Sequence, residues 1–145
     1  MITDTITQKI GEALKAHDEI RLSTLRLLSS ALNYEFIAKQ HKLSEDEELV
    51  VVRREAKKRK EAIEAYEKVG YKDRAEKEAK ELAILQEYLP PEVSDDDIAK
   101  LVDEAMKETG ASAISDMGKV IGLVKQKTKG AADGAVIANL VRQKL

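Results

Sequence analysis

The stretch SEDEELVVVRREAKKRKEAIEAYEKVG, residues 44–70, decides the fold. It opens with Ser44 and Glu47, which have the spacing of a capping box. It closes at Gly70, a residue type that ends helices in the left-handed conformation. Between these ends, one face repeats at alternating three- and four-residue steps: Leu49, Val52, Ala56, Arg59, Ile63 and Tyr66. We therefore predict a helix from about Ser44 to Val69.

A second helix is predicted to follow from about Asp73 to Leu89, and the short glycine turn between the two indicates a helical hairpin. Its predicted inward residues are Ala75, Ala79, Leu82, Leu85 (or Ala83) and Tyr88. Pro90-Pro91 ends this helix, because proline lacks an amide proton and disfavours helix before it. The two prolines mark the expected domain boundary.

Two helices are expected before this hairpin, from about Thr3 to Ala16 and from about Asp18 to His41. The second carries a wide apolar sector, which is typical of a helix packed on two sides. That sector comprises Leu22, Leu25, Leu28, Leu32 and Phe36, flanked by Ile20, Leu27, Ala31 and Ile37.

Three short amphipathic helices are expected after the prolines. Ser94 or Asp95 caps the first, which ends at Gly110; Ser115 or Asp116 opens the second, and Asp133 opens the third. The predicted fold class is therefore all-α. We expect about four helices in an N-terminal domain, residues 1–90, and three in a smaller C-terminal domain, residues 91–145.

Composition narrows the functional classes. The 145-residue chain has no cysteine, no apolar run long enough to cross a bilayer and no signal-peptide pattern, so a cytoplasmic protein is expected. The net charge of −2 hides an asymmetry. Residues 95–111 carry six acids against two lysines, and residues 112–145 carry six bases against two acids. Local fields are therefore more informative than the overall charge.

No catalytic residue, cofactor, metal site or small-molecule substrate is predicted. His17 and His41 lie at helix ends and are expected to be exposed, and the acidic residues are expected on solvated faces. Ser23-Thr24, Ser29-Ser30 and Ser112 have no base beside them in sequence. Neither a dinucleotide-binding nor a P-loop glycine motif occurs.

Two clusters of basic residues each allow a structural and a binding interpretation. The first comprises Arg53, Arg54, Lys57, Lys58 and Lys60, which spread over more than half of the circumference of one helix. It indicates either a solvated helix offset by nearby glutamates or a secondary phosphate-binding patch. Arg59, within the apolar seam, is expected to snorkel or to pair with a carboxylate of another helix.

The second feature lies near the C-terminus. Gly118 and Gly122 share one helix face, where glycine costs about 1 kcal/mol relative to alanine. They indicate either close helix packing or a smooth face that an RNA or protein backbone can approach. In the second case, the predicted nucleic-acid-binding residues are Gly118, Lys119, Gly122, Lys125, Lys127, Lys129, Gly130 and Gly134. Because aromatic residues are absent after Tyr88, a folded RNA fits better than a stacked single strand.

The whole chain resembles the YqeY family of small bacterial proteins. The resemblance rests on Arg21-Leu22-Ser23-Thr24-Leu25-Arg26, Lys58-Arg59-Lys60-Glu61, Glu87-Tyr88-Leu89-Pro90, and the segment from Thr109-Gly110-Ala111-Ser112 to Gly134. Within that last segment, 116–122 and 129–134 look like the family's tail signature, although Ala131 stands where relatives often carry a larger or polar residue. The resemblance implies an all-α fold with a C-terminal part similar to the tail of GatB, the kinase-like component of the tRNA-dependent amidotransferases.

In those enzymes the tail helps to hold tRNA, whereas other parts perform the chemistry. The resemblance therefore implies a non-catalytic module that binds tRNA or a tRNA-handling protein. The alternative is a protein-interaction module without RNA affinity. A carbon–nitrogen ligase with glutamine as amide donor is the least favoured interpretation, because this chain resembles only the tail.

Overall fold

The computed structural model describes residues 1–145 and is entirely helical. It contains seven α-helices and one 3-10 turn, Ile114–Asp116. The helices are α1 (Ile2–Lys15), α2 (Glu19–Lys39), α3 (Glu45–Lys68), α4 (Lys72–Gln86), α5 (Asp95–Thr109), α6 (Met117–Lys127) and α7 (Gly134–Lys144). Residue contacts divide the chain into two compact units, Met1–Leu89 and Pro90–Leu145.

The capping residues and glycine stops predicted from the sequence form the local hydrogen bonds and backbone conformations expected of them. Ser44 and Glu47 form the capping box of α3, with both hydrogen bonds at 3.2 Å. Ser94 and Asp133 cap α5 and α7. Gly70 and Gly110 adopt left-handed conformations, with φ of 80° and 66°, after α3 and α5. These predictions are confirmed.

Two helices end earlier than predicted. Helix α2 ends at Lys39, because Gln40 takes the left-handed conformation (φ 57°) that closes the helix. Helix α4 ends at Gln86, and the next three residues bond in shorter turns, as Glu87, Tyr88 and Leu89 each donate to a carbonyl three residues back. The chain therefore leaves helical geometry before it reaches Pro90.

The first unit is organised around the hairpin of α3 and α4, against which α2 packs, while α1 packs mainly on α2. Its buried core comprises Ile6, Leu28, Leu32, Leu43, Val51, Val52, Ala56 and Leu85. The apolar sector of α2 is only partly used, because Leu27, Phe36 and Ile37 are exposed. Helix α2 does pack on two sides, against α1 and against the hairpin, but its buried sector is narrower than predicted.

The expected seam of α4 also needs correction. Ala79 is exposed, whereas Glu81 is buried and Glu78 half-buried. The reason lies across the hairpin, where Arg59 of α3 offers its guanidinium to both carboxylates. A buried charge is tolerated when it is paired in this way.

In the second unit, α5, α6 and α7 contact one another pairwise. Their buried core comprises Ile98, Val102, Ala105, Val120, Val124, Ala132, Ile137 and Val141. Partly buried apolar residues, among them Leu101, Met117 and Leu140, pack against this core. The packing leaves the opposite faces of α6 and α7 to solvent.

Candidate nucleic-acid interface

The outer face of α6 has no side chains at two positions one turn apart. Gly118 and Gly122 are exposed, and a Cβ atom built on either would have no neighbouring group within 4 Å. Close helix packing therefore does not explain the two glycines. Because alanine would fit at Gly122 and favour the helix by about 1 kcal/mol, this residue lowers stability without a packing reason.

Three lysines border this glycine face. Successive helical residues lie about 100° apart, which places Lys125 on the same side as Gly118 and Gly122, and Lys119 at its edge. Lys129 follows just beyond the end of α6. All three side chains belong to exposed residues, and no carboxylate lies within ion-pair distance of any of them. We call Gly118, Lys119, Gly122, Lys125 and Lys129 the glycine–lysine face.

Gly134 makes room for one of these lysines. A Cβ atom built on Gly134, the first residue of α7, would lie 3.0 Å from both Cε and Nζ of Lys125. Any larger residue at this position would push the Lys125 side chain away. Gly134 therefore acts on the face through Lys125.

Lys127 points elsewhere. It lies about 180° around α6 from Gly118, and its Nζ is 2.6 Å from a carboxylate oxygen of Glu108 and 3.8 Å from Glu104 on α5. The hydrogen bond to Glu108 raises the pKa of Lys127. Lys144 likewise pairs with Asp103. These two lysines offset the acidic α5, whereas those of the glycine–lysine face remain unpaired.

The turn after α6 has its own backbone requirements. Lys129 and Gly130 both have positive φ values, 51° and 78°. The Gly130 amide donates to the carbonyl of Lys125 at 2.8 Å, and the Thr128 hydroxyl donates to the carbonyl of Val124 at 2.9 Å. The hydrogen bond from Gly130 thus closes the last turn of α6, while Lys129 is held in a left-handed conformation that lysine rarely adopts.

Sequence reasoning missed Ile114. This residue lies in the 3-10 turn before α6 and is 70% exposed. No helical periodicity marks it, because the 3-10 turn breaks the register of α6. An exposed isoleucine just before α6 offers an apolar contact point close in sequence to the glycine–lysine face.

The basic run of α3 is largely neutralised. Arg54 pairs with Glu35 at 3.4 Å, Lys58 pairs with Glu55 at 3.2 Å, and Lys60 also has an interaction partner. Arg53 and Lys57 make no ion pair. The run is therefore a mostly paired helix surface with two exceptions.

Arg59 has the structural role predicted for it. Its Nε atom lies 2.9 Å from Glu81 and 3.6 Å from Glu78, although neither contact has the alignment of a good hydrogen bond. Burial, followed by the charge of Glu81, raises the pKa of Glu78. Arg59 thus joins α3 to α4 by holding two carboxylates that would otherwise repel each other.

The histidines and hydroxyls lie where local structure places them. His17 and His41 are exposed residues next to helix ends, as predicted. The hydroxyls of Ser23 and Thr24 donate to the carbonyl of Ile20, at 3.2 and 2.7 Å. No group of three or more potential ligands is arranged to hold a metal ion. None of the seven helices has the length and apolar character that a bilayer-spanning segment requires.

The model of one protein family, described as Yqey-like protein, matches residues 3–145, nearly the whole chain. The chain belongs to the YqeY family. A relative from Schizosaccharomyces pombe (strain 972 / ATCC 24843), "Uncharacterized protein C22F3.15", is 30% identical over 89 residues, which is 61% of this chain and 72% of that protein.

Two of the segments that resemble the YqeY family meet in the first unit. Both terminal nitrogens of Arg21, at the start of α2, donate to the carboxylate of Glu87, each at 2.9 Å. This paired hydrogen bond lowers the pKa of Glu87 and raises that of Arg21. It ties α2 to the segment just after α4, so these family residues have a structural role here.

Proposed function

We propose that this YqeY-family protein is a non-catalytic binding module whose C-terminal part, residues 91–145, contacts the phosphate backbone of a folded RNA, with tRNA as the expected species. In this proposal residues 1–90 and 91–145 are separate domains. The support is the glycine–lysine face, where two helical glycines are open to solvent and three neighbouring lysines have no carboxylate partner.

The chemistry of this face suits a phosphate backbone. Lysine ammonium groups neutralise phosphates without reading sequence. Missing side chains at Gly118 and Gly122 let a backbone approach α6 closely. The second unit has no aromatic side chain on which bases could stack. A structured RNA, recognised by its shape and phosphates, therefore fits better than a single strand.

The resemblance to the amidotransferase tail supports tRNA as the species. The carbon–nitrogen ligase activity of the whole amidotransferase is not part of the proposal, because no cluster of reactive side chains accompanies the face.

The test is fluorescence anisotropy of labelled tRNA with the full-length protein, at about 50 and 200 mM salt, against a scrambled RNA. Replacing Lys119, Lys125 and Lys129 together by glutamine should weaken binding. It should also flatten the salt dependence, by roughly 0.9 in logarithmic slope per lost duplex-type phosphate contact. Lys127→Gln is the matched control, since Lys127 pairs with α5, and it should leave the affinity unchanged.

Gly122→Ala adds a second, independent signature. Because a Cβ atom at this position meets nothing, the variant should be more stable by about 1 kcal/mol. It should nevertheless bind tRNA more weakly, because the methyl group stands between α6 and the RNA backbone. No tRNA binding at the lower salt concentration, or equal losses in the triple variant and in Lys127→Gln, would refute the proposal.

A second candidate is a protein-interaction module that presents the same face to a partner helix. The exposed Ile114, four residues before the first of the two exposed glycines, favours it, since small residues and an apolar contact suit helix packing. Ile114→Ser should then reduce recovery of a partner in nuclease-treated pull-downs and leave tRNA binding at its existing level. If Ile114→Ser has no effect on partner recovery, this candidate fails.

A further inference from the structure

A cavity of about 330 Å³ lies between α1 and α2 in the first unit. Its apolar lining residues are Ala13, Ala16 and Leu25. Its charged lining residues are Lys9, Glu12, Asp18 and Arg21. Within each helix these residues recur at three-, four- or seven-residue steps, so one face of α1 lies opposite one face of α2. The volume is at the lower end of the range of ligand pockets, about 300–1,000 Å³, so the cavity suits a small molecule.

Two alanines keep this cavity open. Ala13 is buried and Ala16 is exposed, and neither has a side chain long enough to fill the space between the helices. Leu25, which is 1% exposed, adds apolar surface from α2. The cavity therefore offers an apolar surface to the aliphatic part of a ligand.

Two of the four charged lining residues already have partners. Both terminal nitrogens of Arg21 donate to the carboxylate of Glu87, each at 2.9 Å. The carboxylate of Asp18 accepts the backbone amide of Arg21 at 3.1 Å and lies 3.6 Å from its Nε atom. These side chains form a fixed part of the lining and have little capacity left for a ligand.

The other two charged lining residues have no ion-pair partner. The Lys9 ammonium lies 4.7 Å from the centroid of the Tyr88 ring, and no carboxylate lies within ion-pair distance of it. Glu12 accepts one hydrogen bond, from Gln8 at 3.3 Å. Lys9 and Glu12 are three residues apart on α1, a spacing at which opposite charges can pair, yet they do not pair with each other. One unpaired cation and one unpaired anion therefore border the same cavity.

A zwitterion matches this lining, because its two cations and two carboxylates balance and favour neither a net anion nor a net cation. Helical residues three apart have Cβ atoms about 5–6 Å apart. An α-amino acid carries its ammonium and carboxylate on one carbon atom, so it can reach both side chains at this spacing.

We propose that the cavity binds a free α-amino acid with an aliphatic side chain. Lys9 receives the ligand carboxylate and Glu12 receives the ligand ammonium. The aliphatic side chain lies against Ala13, Ala16 and Leu25. The site belongs to the first unit and is independent of the function proposed for α6.

The experiment is a titration of the ¹⁵N-labelled full-length protein with L-leucine, followed by NMR. The backbone amide resonances of Ala13, Ala16 and Leu25 should shift and saturate. Two analogues test the charges, since 3-methylbutylamine lacks the carboxylate and 4-methylpentanoate lacks the ammonium. Each should bind at least about tenfold more weakly, the effect of one charge-assisted hydrogen bond. No saturable shift with L-leucine, or equally tight binding of either analogue, would overturn the proposal.

Matched variants test the two unpaired charges. Lys9→Gln and Glu12→Gln should each weaken L-leucine binding about tenfold. Lys15→Gln is the control, because Lys15 is an exposed residue of α1 that does not line the cavity. Equal effects of Lys9→Gln and Lys15→Gln would overturn the assignment of Lys9. Unchanged binding by Glu12→Gln would overturn the assignment of the ammonium site.

Filling the cavity tests its location. Ala16→Leu places an aliphatic side chain in the space and should abolish the saturable response while the circular dichroism spectrum stays the same. Ala65→Leu makes the same change at an exposed position of α3 and should leave L-leucine binding intact. Retained binding by Ala16→Leu would show that the cavity is not the site. The triple variant of Lys119, Lys125 and Lys129 should bind L-leucine like the wild type, so failure of the α6 proposal and failure of this one are distinguishable.

Discussion

Glu48 makes a strong prediction about stability, because it is a buried carboxylate that caps a helix other than its own. The side chain belongs to α3 and is 1% exposed. Its carboxylate accepts hydrogen bonds from the backbone amides of Ile2 at 3.2 Å and Thr3 at 2.6 Å, and from the Thr3 hydroxyl. Helix α1 has no side-chain cap of its own, so Glu48 satisfies its first amides.

Glu48→Gln keeps the volume but removes the charge and turns one acceptor into a donor that faces N–H groups. A hydrogen bond to a charged group contributes about 1.5–3 kcal/mol, and a negative charge at a helix N-terminus contributes about 0.3–1 kcal/mol. We therefore expect a loss of about 2 kcal/mol for Glu48→Gln, and about 3 kcal/mol for Glu48→Ala, which also leaves a cavity.

The assay is urea and thermal denaturation followed by circular dichroism. For a unit of this size, a loss of about 2 kcal/mol lowers Tm by about 10 °C. Glu61→Gln is the matched control, since Glu61 lies on the same helix, is exposed and has no partner. Combining Glu48→Gln with Thr3→Val should give a coupling free energy of about 1 kcal/mol.

Buried charges can also be a liability, and their replacement is then neutral or stabilising. If Glu48→Gln changes the free energy of unfolding by no more than Glu61→Gln does, or increases it, the capping argument is wrong. Unchanged protection of the Thr3 amide against hydrogen exchange would contradict the argument independently.

Three further predictions concern ion pairs and backbone conformation. Because Arg21 lowers the pKa of Glu87, their ion pair stabilises the protein at pH values above the ordinary carboxyl pKa of 4.5, and this stabilisation is lost as the pH falls through the lowered pKa. Glu87→Gln should therefore reduce the acid sensitivity of Tm below about pH 4.5. An unchanged dependence of Tm on pH would contradict this. Arg59→Met leaves the buried Glu81 unpaired and should cost about 3 kcal/mol in urea denaturation at pH 7, and a loss below about 1 kcal/mol would show that the ion pair contributes little. Lys129→Gly relieves a left-handed lysine and should raise the free energy of unfolding by about 1 kcal/mol, with a decrease as the contrary result.

Much of the helical framework was predictable, because its signals are local. The capping box of Ser44 and Glu47 and the stops at Gly70 and Gly110 depend on residues within one turn of each other. The helix ends before Pro90 and at Gln40 were less predictable. In both places the chain changes conformation without a glycine or proline at the last helical residue.

The candidate site was only partly predictable for a related reason. A helical wheel separates Lys127 from Gly118 and Gly122, but it cannot show that Glu108 lies on the neighbouring helix to receive the ammonium. Nor can it decide whether a glycine face is packed or open. Gly118 and Gly122 become informative only when the surrounding helices are in place and leave them uncovered.

By itself, the sequence determined an all-helical chain and the positions of its main caps, since backbone hydrogen bonds and capping side chains lie within a few residues of each other. Family membership also followed from the order of residues along the chain. Only the tertiary structure decided which charges have partners. It buries Glu48 at the start of α1, joins Arg59 to Glu81, and leaves the buried Nη2 atom of Arg53 without a hydrogen-bond partner. The physical reason is that an ion pair depends on which helix packs opposite a side chain, and residues far apart in sequence set that arrangement.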